Sequence, residues 1–199
     1  MRLSPPAPLD PRVARTRQLL VDALAALLRD RPYPQVTVKD VAATATVNRA
    51  TFYAHFADKD DLFRSLLQSE IDQALDERLG GGEAPSTLGA YLDALLPAAF
   101  AFADWTAGRC RTARHGADAP HPAEELQSGL EAHVAAWLAA HRPGVPSEFA
   151  ARAVSAMAAR VATHWSRQLE RQPADQVMGP LRAMIVAAVG ALETSGAPA

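Results

Sequence analysis

The chain has 199 residues, 49% of them hydrophobic and 6% aromatic, with a formal net charge of −2 at neutral pH. That length holds one large domain or a small one joined to a larger one. Near-neutrality argues against a general nucleic-acid coat protein, and the single cysteine, Cys110, excludes an intrachain disulfide and a thiolate metal cluster. The charge is unevenly spread. Met1 to Ser65 carry ten Lys/Arg against seven Asp/Glu, net +3, while Leu66 onward carry ten against fifteen, net −5. Positive potential therefore sits at the N-terminal end, where phosphates would be met. Abundant alanine and few aromatics suit packed helices, and no internal repeat or alternating strand pattern is visible. No apolar run reads as long enough to cross a membrane. The Pro-rich start lacks a secretory core, so a cytoplasmic protein is expected.

Met1 to Pro11 reads as a flexible arm, with prolines at 5, 6, 8 and 11. Asp10 can cap a helix that has Pro11 in its first turn and runs to about Asp30. Leu20, Leu24, Leu27 and Leu28 form its inward stripe. Arg12, Arg15 and Arg17 in its early turns either touch a nucleic-acid backbone or form a solvated basic face. Pro32 and Pro34 end this helix, and Tyr33 is expected to pack in the loop.

The most informative stretch follows, TVKDVAATATVNRATFYAHFADKDDL from Thr37 to Leu62. Thr37 can cap a helix, and Asp40 three residues on completes a capping box. Val38, Val41, Ala42 and Ala45 share an inward face. Residues 45–47 make a turn, and Asn48 caps a second helix from Arg49 to Phe56. Phe52 and Phe56, four apart, can anchor that helix in a core. Arg49, Thr51, Tyr53 and His55 are left nearer the surface, as a recognition helix requires. Asp58 caps the next helix, with Asp61 at its third position.

The runs T-V-K-D-V-A, V-N-R-A-T-F-Y-A-H-F and D-K-D-D-L resemble the N-terminal helix-turn-helix of TetR-type transcriptional regulators. The resemblance implies an all-α fold. Residues 12–62 would form a three-helix DNA-binding domain, and residues 63–199 a helical ligand-binding and dimerisation domain. It implies DNA contacts from Thr37, Asn48, Arg49, Thr51, Tyr53, His55 and Lys59. Arg49 is the candidate for a bidentate guanine contact. Tyr53 and His55 match positions that touch phosphate or support the helix. Thr37 and Lys59 match positions that hold the DNA backbone. One departure stands out, because Thr46 occupies a turn position where the family usually has glycine. A left-handed backbone costs a β-branched residue about 1–2 kcal/mol, so either Thr46 accepts that strain or the turn is shaped differently.

Beyond the motif the pattern predicts a helix from Asp58 to about Leu79, broken by Gly80, Gly81 and Gly82. Ser86 would cap a helix from Thr87 to about Trp105, kinked at Pro97. Three more helices are expected, at about 123–140, 148–171 and 175–192. The second of these carries Phe149, Ala153, Met157, Val161, His164 and Trp165 along one broad side. The last two are apolar on more than one face, which asks either for burial of both faces within one chain or, as the resemblance implies, for a second copy of the chain as partner. A two-fold dimer would read a palindromic double-stranded operator.

Phe102, Trp105, His133, Trp137, Met157, His164 and Trp165, with Tyr91 and Phe100 on the same helices, would line a pocket for an unidentified small apolar ligand. Cys110, flanked by Arg109 and Arg111, reads either as a packed side chain or as a redox-sensing thiol. Catalysis is not expected. The chain has no Gly-x-Ser-x-Gly, P-loop or dinucleotide-binding glycine pattern, and the histidines at 115, 121, 133, 141 and 164 have no zincin spacing. No cofactor and no metal are expected. A DNA-binding protein whose C-terminal domain only dimerises or binds a protein is the alternative.

Overall fold

The structure is a computed structural model that describes residues 10–79, 85–110 and 121–195. Among the described residues there is no strand. The helices are α1 (Pro11–Asp30), α2 (Val38–Thr44), α3 (Arg49–His55), α4 (Lys59–Leu79), α5 (Leu88–Cys110), α6 (Pro122–His141), α7 (Ser147–Ser166) and α8 (Ala174–Ser195), with a 3₁₀ turn at Tyr33–Gln35. The chain divides into two compact units, one ending at Leu66 and the other beginning at Leu67, within the length of α4. The expected arm at 1–9, the glycines at 80–82 and the segment 111–120 lie outside the described residues, as does the Cys110 side chain.

In the first unit, local chemistry starts the helices. The Asp10 side chain accepts from the Arg12 N–H, and Pro11 fills the first turn of α1 without losing a hydrogen bond. Leu20, Leu24 and Leu28 are buried as the 3.6-residue period dictates, and Leu27 is half-buried. Val41, Ala42, Phe52, Phe56, Leu62, Phe63 and Leu66 complete this core. Tyr33 is buried as expected, its ring stacked 4.4 Å from that of Phe63.

The second unit packs its helices through small residues. The buried face of α7 is Ala150, Ala151, Val154, Ser155, Ala158, Ala159 and Ala162, and α6 and α7 pack more extensively than any other described pair. Gly129 of α6 lies so near α4 that a β-carbon would come 2.9 Å from Ile71 Cγ2. The buried hydroxyls of Thr106, Ser155, Thr163 and Ser166 each donate to a carbonyl one turn back, on Ala103, Arg152, Ala159 and Thr163.

Several element boundaries differ from the expectation. Thr87, not Ser86, caps α5, its hydroxyl accepting from the Ala90 N–H at 3.2 Å. This helix continues through Pro97 to Cys110, beyond the Trp105 end read from the pattern. α7 stops at Ser166, short of 171. There the Arg167 N–H bonds the His164 carbonyl and the Gln168 N–H the Trp165 carbonyl, which tightens the last turn, and the Trp165 indole N–H reaches the Gln172 carbonyl at 2.8 Å.

α8 corrects the membrane expectation. Ala174–Glu193 has a mean hydropathy of 1.2 and is long and apolar enough to cross a membrane, though it carries Asp175, Arg182 and Glu193. Only 17% of its most apolar window is buried within the chain. Leu181, Ile185 and Val189 face inward, while Met184, Val186, Ala187 and Ala188 are exposed. Its apolarity comes from having two apolar faces, of which this chain covers one.

Candidate nucleic-acid interface

α2 begins in a complete capping box. The Thr37 hydroxyl accepts from the Asp40 N–H at 3.2 Å, while the Asp40 carboxylate accepts from the Thr37 N–H at 2.9 Å and the Thr37 hydroxyl at 2.7 Å. These bonds to Thr37, the side-chain one first, hold the Asp40 carboxyl below its usual 3.8. A depressed carboxyl stabilises the fold above its unfolded value and loses that contribution as pH falls through the folded one. Asp40 is therefore expected to titrate below 3.8 in a carboxyl NMR titration, and Thr37→Ala to return it toward 3.8; an unchanged midpoint in the variant would assign the shift elsewhere.

The turn after α2 answers the question posed by Thr46. Its φ is 57°, so this threonine adopts the left-handed backbone. The Thr46 N–H bonds the Ala43 carbonyl at 3.1 Å and the Val47 N–H bonds the Ala42 carbonyl at 2.9 Å, the pairing of a Schellman motif. Thr46 accepts the strain, and the turn keeps the form glycine would give it. Thr46→Gly is expected to stabilise the protein by about 1 kcal/mol, the relief of roughly 1–2 kcal/mol being partly offset by glycine's greater unfolded freedom. Urea unfolding measures it, and a destabilised variant would mean the threonine makes a compensating contact.

The turn delivers α3. The Asn48 side-chain oxygen accepts from the Thr51 N–H at 2.7 Å and the Thr51 hydroxyl at 3.0 Å. This leaves the Asn48 amide hydrogens free of the cap. Phe52 and Phe56 are buried behind the helix, with ring centroids 6.1 Å apart. Asn48, Arg49, Ala50, Tyr53 and Ala54 are exposed in front, and Thr51 and His55 are half-buried. The structure thus brings Asn48, Arg49 and Tyr53 onto one accessible surface. Phe56 ends α3 as its C-cap rather than its last helical residue. Asp58 and Asp61 cap α4 reciprocally, Asp58 accepting from the Asp61 N–H at 2.7 Å and Asp61 from the Ala57 N–H at 3.0 Å.

Two cations play parts that the sequence does not disclose. Arg17 neither points to solvent nor stays free. Its guanidinium lies 4.1 Å over the Phe56 ring and donates to the His55 carbonyl and, at 3.4 Å, to the Ser65 hydroxyl. It ties α1 to the C-terminal end of α3. Lys59 is turned onto the 3₁₀ turn, donating to the carbonyls of Tyr33 at 3.0 Å and Val36 at 2.9 Å with its ammonium 4.0 Å above the Tyr33 ring. Burial lowers its pKa, opposed by Asp60, which also accepts from the Tyr33 hydroxyl. One of the three ammonium hydrogens remains for another acceptor.

This arrangement of capped α2, left-handed turn and phenylalanine-anchored α3 coincides with a family match. Residues 20–66 match the family described as "Bacterial regulatory proteins, tetR family". The first unit is a TetR-family helix-turn-helix domain. The chain is 33% identical over 69 residues to YxbF, an uncharacterised HTH-type transcriptional regulator of Bacillus subtilis, covering 34% of this chain and 18% of that one. It is 39% identical over 59 residues to the HTH-type regulator EthR of Mycobacterium tuberculosis, covering 29% and 27%. The matched stretches thus span less than a third of the length of these curated TetR-like relatives. The whole fold is similar to that of a TetR-family regulator from Streptomyces coelicolor, with a TM-score of 0.58 and 21% identity over 92% of this chain and 88% of that one.

In the second unit the seven side chains expected to face a ligand fall in several places. Phe102 is buried, its ring 6.2 Å from that of half-buried Trp105. His133 is half-buried, 3.6 Å from the Asp72 carboxylate. Trp137 is buried, stacked at 4.8 Å on Tyr91 and at 4.7 Å on His141. Met157 and Trp165 are half-buried and His164 exposed, and the Trp165 ring lies 5.2 Å from that of the buried Phe100 on α5. His164 and Trp165 border an open cleft of about 510 Å³ together with Val161, Leu169 and Val177. Among the described residues no group of three or more His, Cys, Asp or Glu is placed to hold a metal ion.

Proposed function

We propose that this protein is a sequence-specific, DNA-binding transcriptional regulator of the bacterial cytoplasm, and that it represses by occupying a palindromic operator. The observation that carries the reading is α3 itself. Its buried Phe52 and Phe56 hold it from behind while Asn48, Arg49 and Tyr53 are exposed in front. Arg49 takes guanine through its paired donors, and the Asn48 amide offers hydrogens to a base edge. Tyr53, His55 and Lys59 hold the DNA backbone, Lys59 through the one ammonium hydrogen its carbonyl partners leave, and Thr37 joins them when its hydroxyl turns its hydrogen from Asp40 to a phosphate. The positive balance of the first 65 residues supports approach to phosphates.

The protein acts as a homodimer through α7 and α8, which carry apolar side chains that one chain leaves uncovered: Phe149 is 67% and Met184 56% exposed. Two-fold symmetry then places two copies of α3 in successive major grooves, with half-site centres about 10 base pairs or more apart. A small apolar ligand in the second unit releases the operator by binding one arrangement of the dimer more tightly than the other. Selection of bound fragments from the source genome tests the reading. Enrichment of one palindrome beside a few genes is expected, and no enrichment by a folded dimer would overturn it.

A further inference from the structure

Tyr91 differs from the other buried hydroxyls among the described residues. It stands in the first turn of α5, 3% exposed, and its hydroxyl has no hydrogen-bond partner among the described residues. The buried hydroxyls of Thr106, Ser155, Thr163 and Ser166 donate to their own helix, and that of Tyr33 donates to Asp60. A phenol cannot do the same, because its hydroxyl is carried a whole ring's length beyond the backbone and needs an acceptor from elsewhere. The neighbouring aromatic shows the contrast: Trp137, stacked on Tyr91, has its indole N–H satisfied by the Pro85 carbonyl at 2.8 Å. A buried donor without an acceptor is destabilising, and phenylalanine would fill the same volume without that penalty.

We propose that the Tyr91 hydroxyl is the polar anchor of a ligand site in the second unit, donating to the acceptor oxygen of an uncharged, largely apolar molecule that lies against the Tyr91–Trp137 stack. Leu88, Leu92 and Leu95 are buried on the same helix and Val134 on α6, so the surroundings favour apolar surface and disfavour a charged ligand. Burial also pushes the Tyr91 phenol up in pKa, so it stays protonated and acts as a donor. The proposal rests on the reading of the second unit as a ligand-binding domain and deepens it. Tyr91 gives that domain a stated recognition chemistry, an oxygen acceptor such as a ketone, ester or ether on an apolar frame.

Acetophenone and ethylbenzene test it, because they share a shape and differ in one carbonyl oxygen. Both are titrated into the full-length protein and into Tyr91→Phe, without DNA, by ligand-observed NMR. The ratio of acetophenone to ethylbenzene affinity is expected to fall about three- to tenfold in the variant, the worth of one neutral hydrogen bond. The unliganded variant should unfold at the same or a higher temperature than the parent. An unchanged ratio, failure of both probes to bind, or a clearly less stable Tyr91→Phe would each overturn the proposal; the last would show the hydroxyl already partnered within the protein. Genomic fragment selection keeps the two readings apart. An enriched palindrome with an unchanged ratio sinks the Tyr91 site alone, whereas a changed ratio without enriched DNA sinks the regulator reading alone.

Discussion

Phe52→Ala should remove about 3–5 kcal/mol from the N-terminal unit, the usual loss for a large aromatic deleted from a packed core. Phe52 is completely buried, with the Tyr53 ring edge-on at 5.3 Å and the Phe56 ring tilted at 6.1 Å. A helix as short as α3, seven residues, has no independent stability in water and exists because this face is buried. A unit of this size is stable by only about 0.05–0.15 kcal/mol per residue, so the substitution takes most of what it has. Native-state amide exchange reads the effect directly. Protection of the α2 and α3 amides should fall by roughly two to four orders of magnitude, since 1.36 kcal/mol is a factor of ten. Phe52→Leu, which keeps most of the volume, should lose far less. Unchanged protection in Phe52→Ala would mean that α3 is held from elsewhere, and Arg17, bonded to the His55 carbonyl, would be the first place to look.

The contrast between the two units shows what the chain discloses before it folds. The starts of α1, α2, α3 and α4 were legible because capping is local: Asp10, Thr37 with Asp40, Asn48 and Asp58 each act within four residues of themselves. The strain at Thr46 could be framed as a question because a turn of that length has few backbone solutions, and φ of 57° answers it. Arg17 and Lys59 were not legible in this way. Their partners lie 38 and 26 residues away, and the surface placement expected of isolated cations gives no hint of a carbonyl that needs a donor.

α7 is the harder case. It is apolar on two sides, so its period marks a helix without saying which side faces inward. Phe149 is exposed and Met157 half-buried, Trp165 turns its ring to the buried Phe100 at 5.2 Å, and the row of alanines and Val154 is buried, where small side chains let helices pack closely. The expectation that Met157, His164 and Trp165 line a ligand pocket rests on their chemistry, and His164 and Trp165 border the open cleft of about 510 Å³. Tyr91, one aromatic among several in sequence, is set apart only by the acceptor that its surroundings fail to provide.

Arg49→Ala should weaken operator binding by about 1–3 kcal/mol, up to roughly a hundredfold, and leave the protein folded. The two halves of that expectation rest on different observations. Arg49 is exposed at the first position of α3 and has no ion pair or hydrogen bond with any described residue, so its removal breaks nothing in the fold. Alanine is also the better helix former, so α3 should not fray. The loss on DNA follows from geometry: the guanidinium leads the helix where base edges are met, and a bidentate guanine contact discriminates by about 1–3 kcal/mol. A phosphate contact would behave differently, because it would lower affinity for all sequences alike and flatten the salt dependence by about one counterion. Affinity must therefore be measured for the selected palindrome and for a scrambled duplex at two salt concentrations. A loss confined to the palindrome assigns Arg49 to base readout. An equal loss on both duplexes moves it to the DNA backbone and passes the reading of bases to Asn48, whose amide hydrogens the cap leaves free, and to Tyr53, 51% exposed beside it on the same surface.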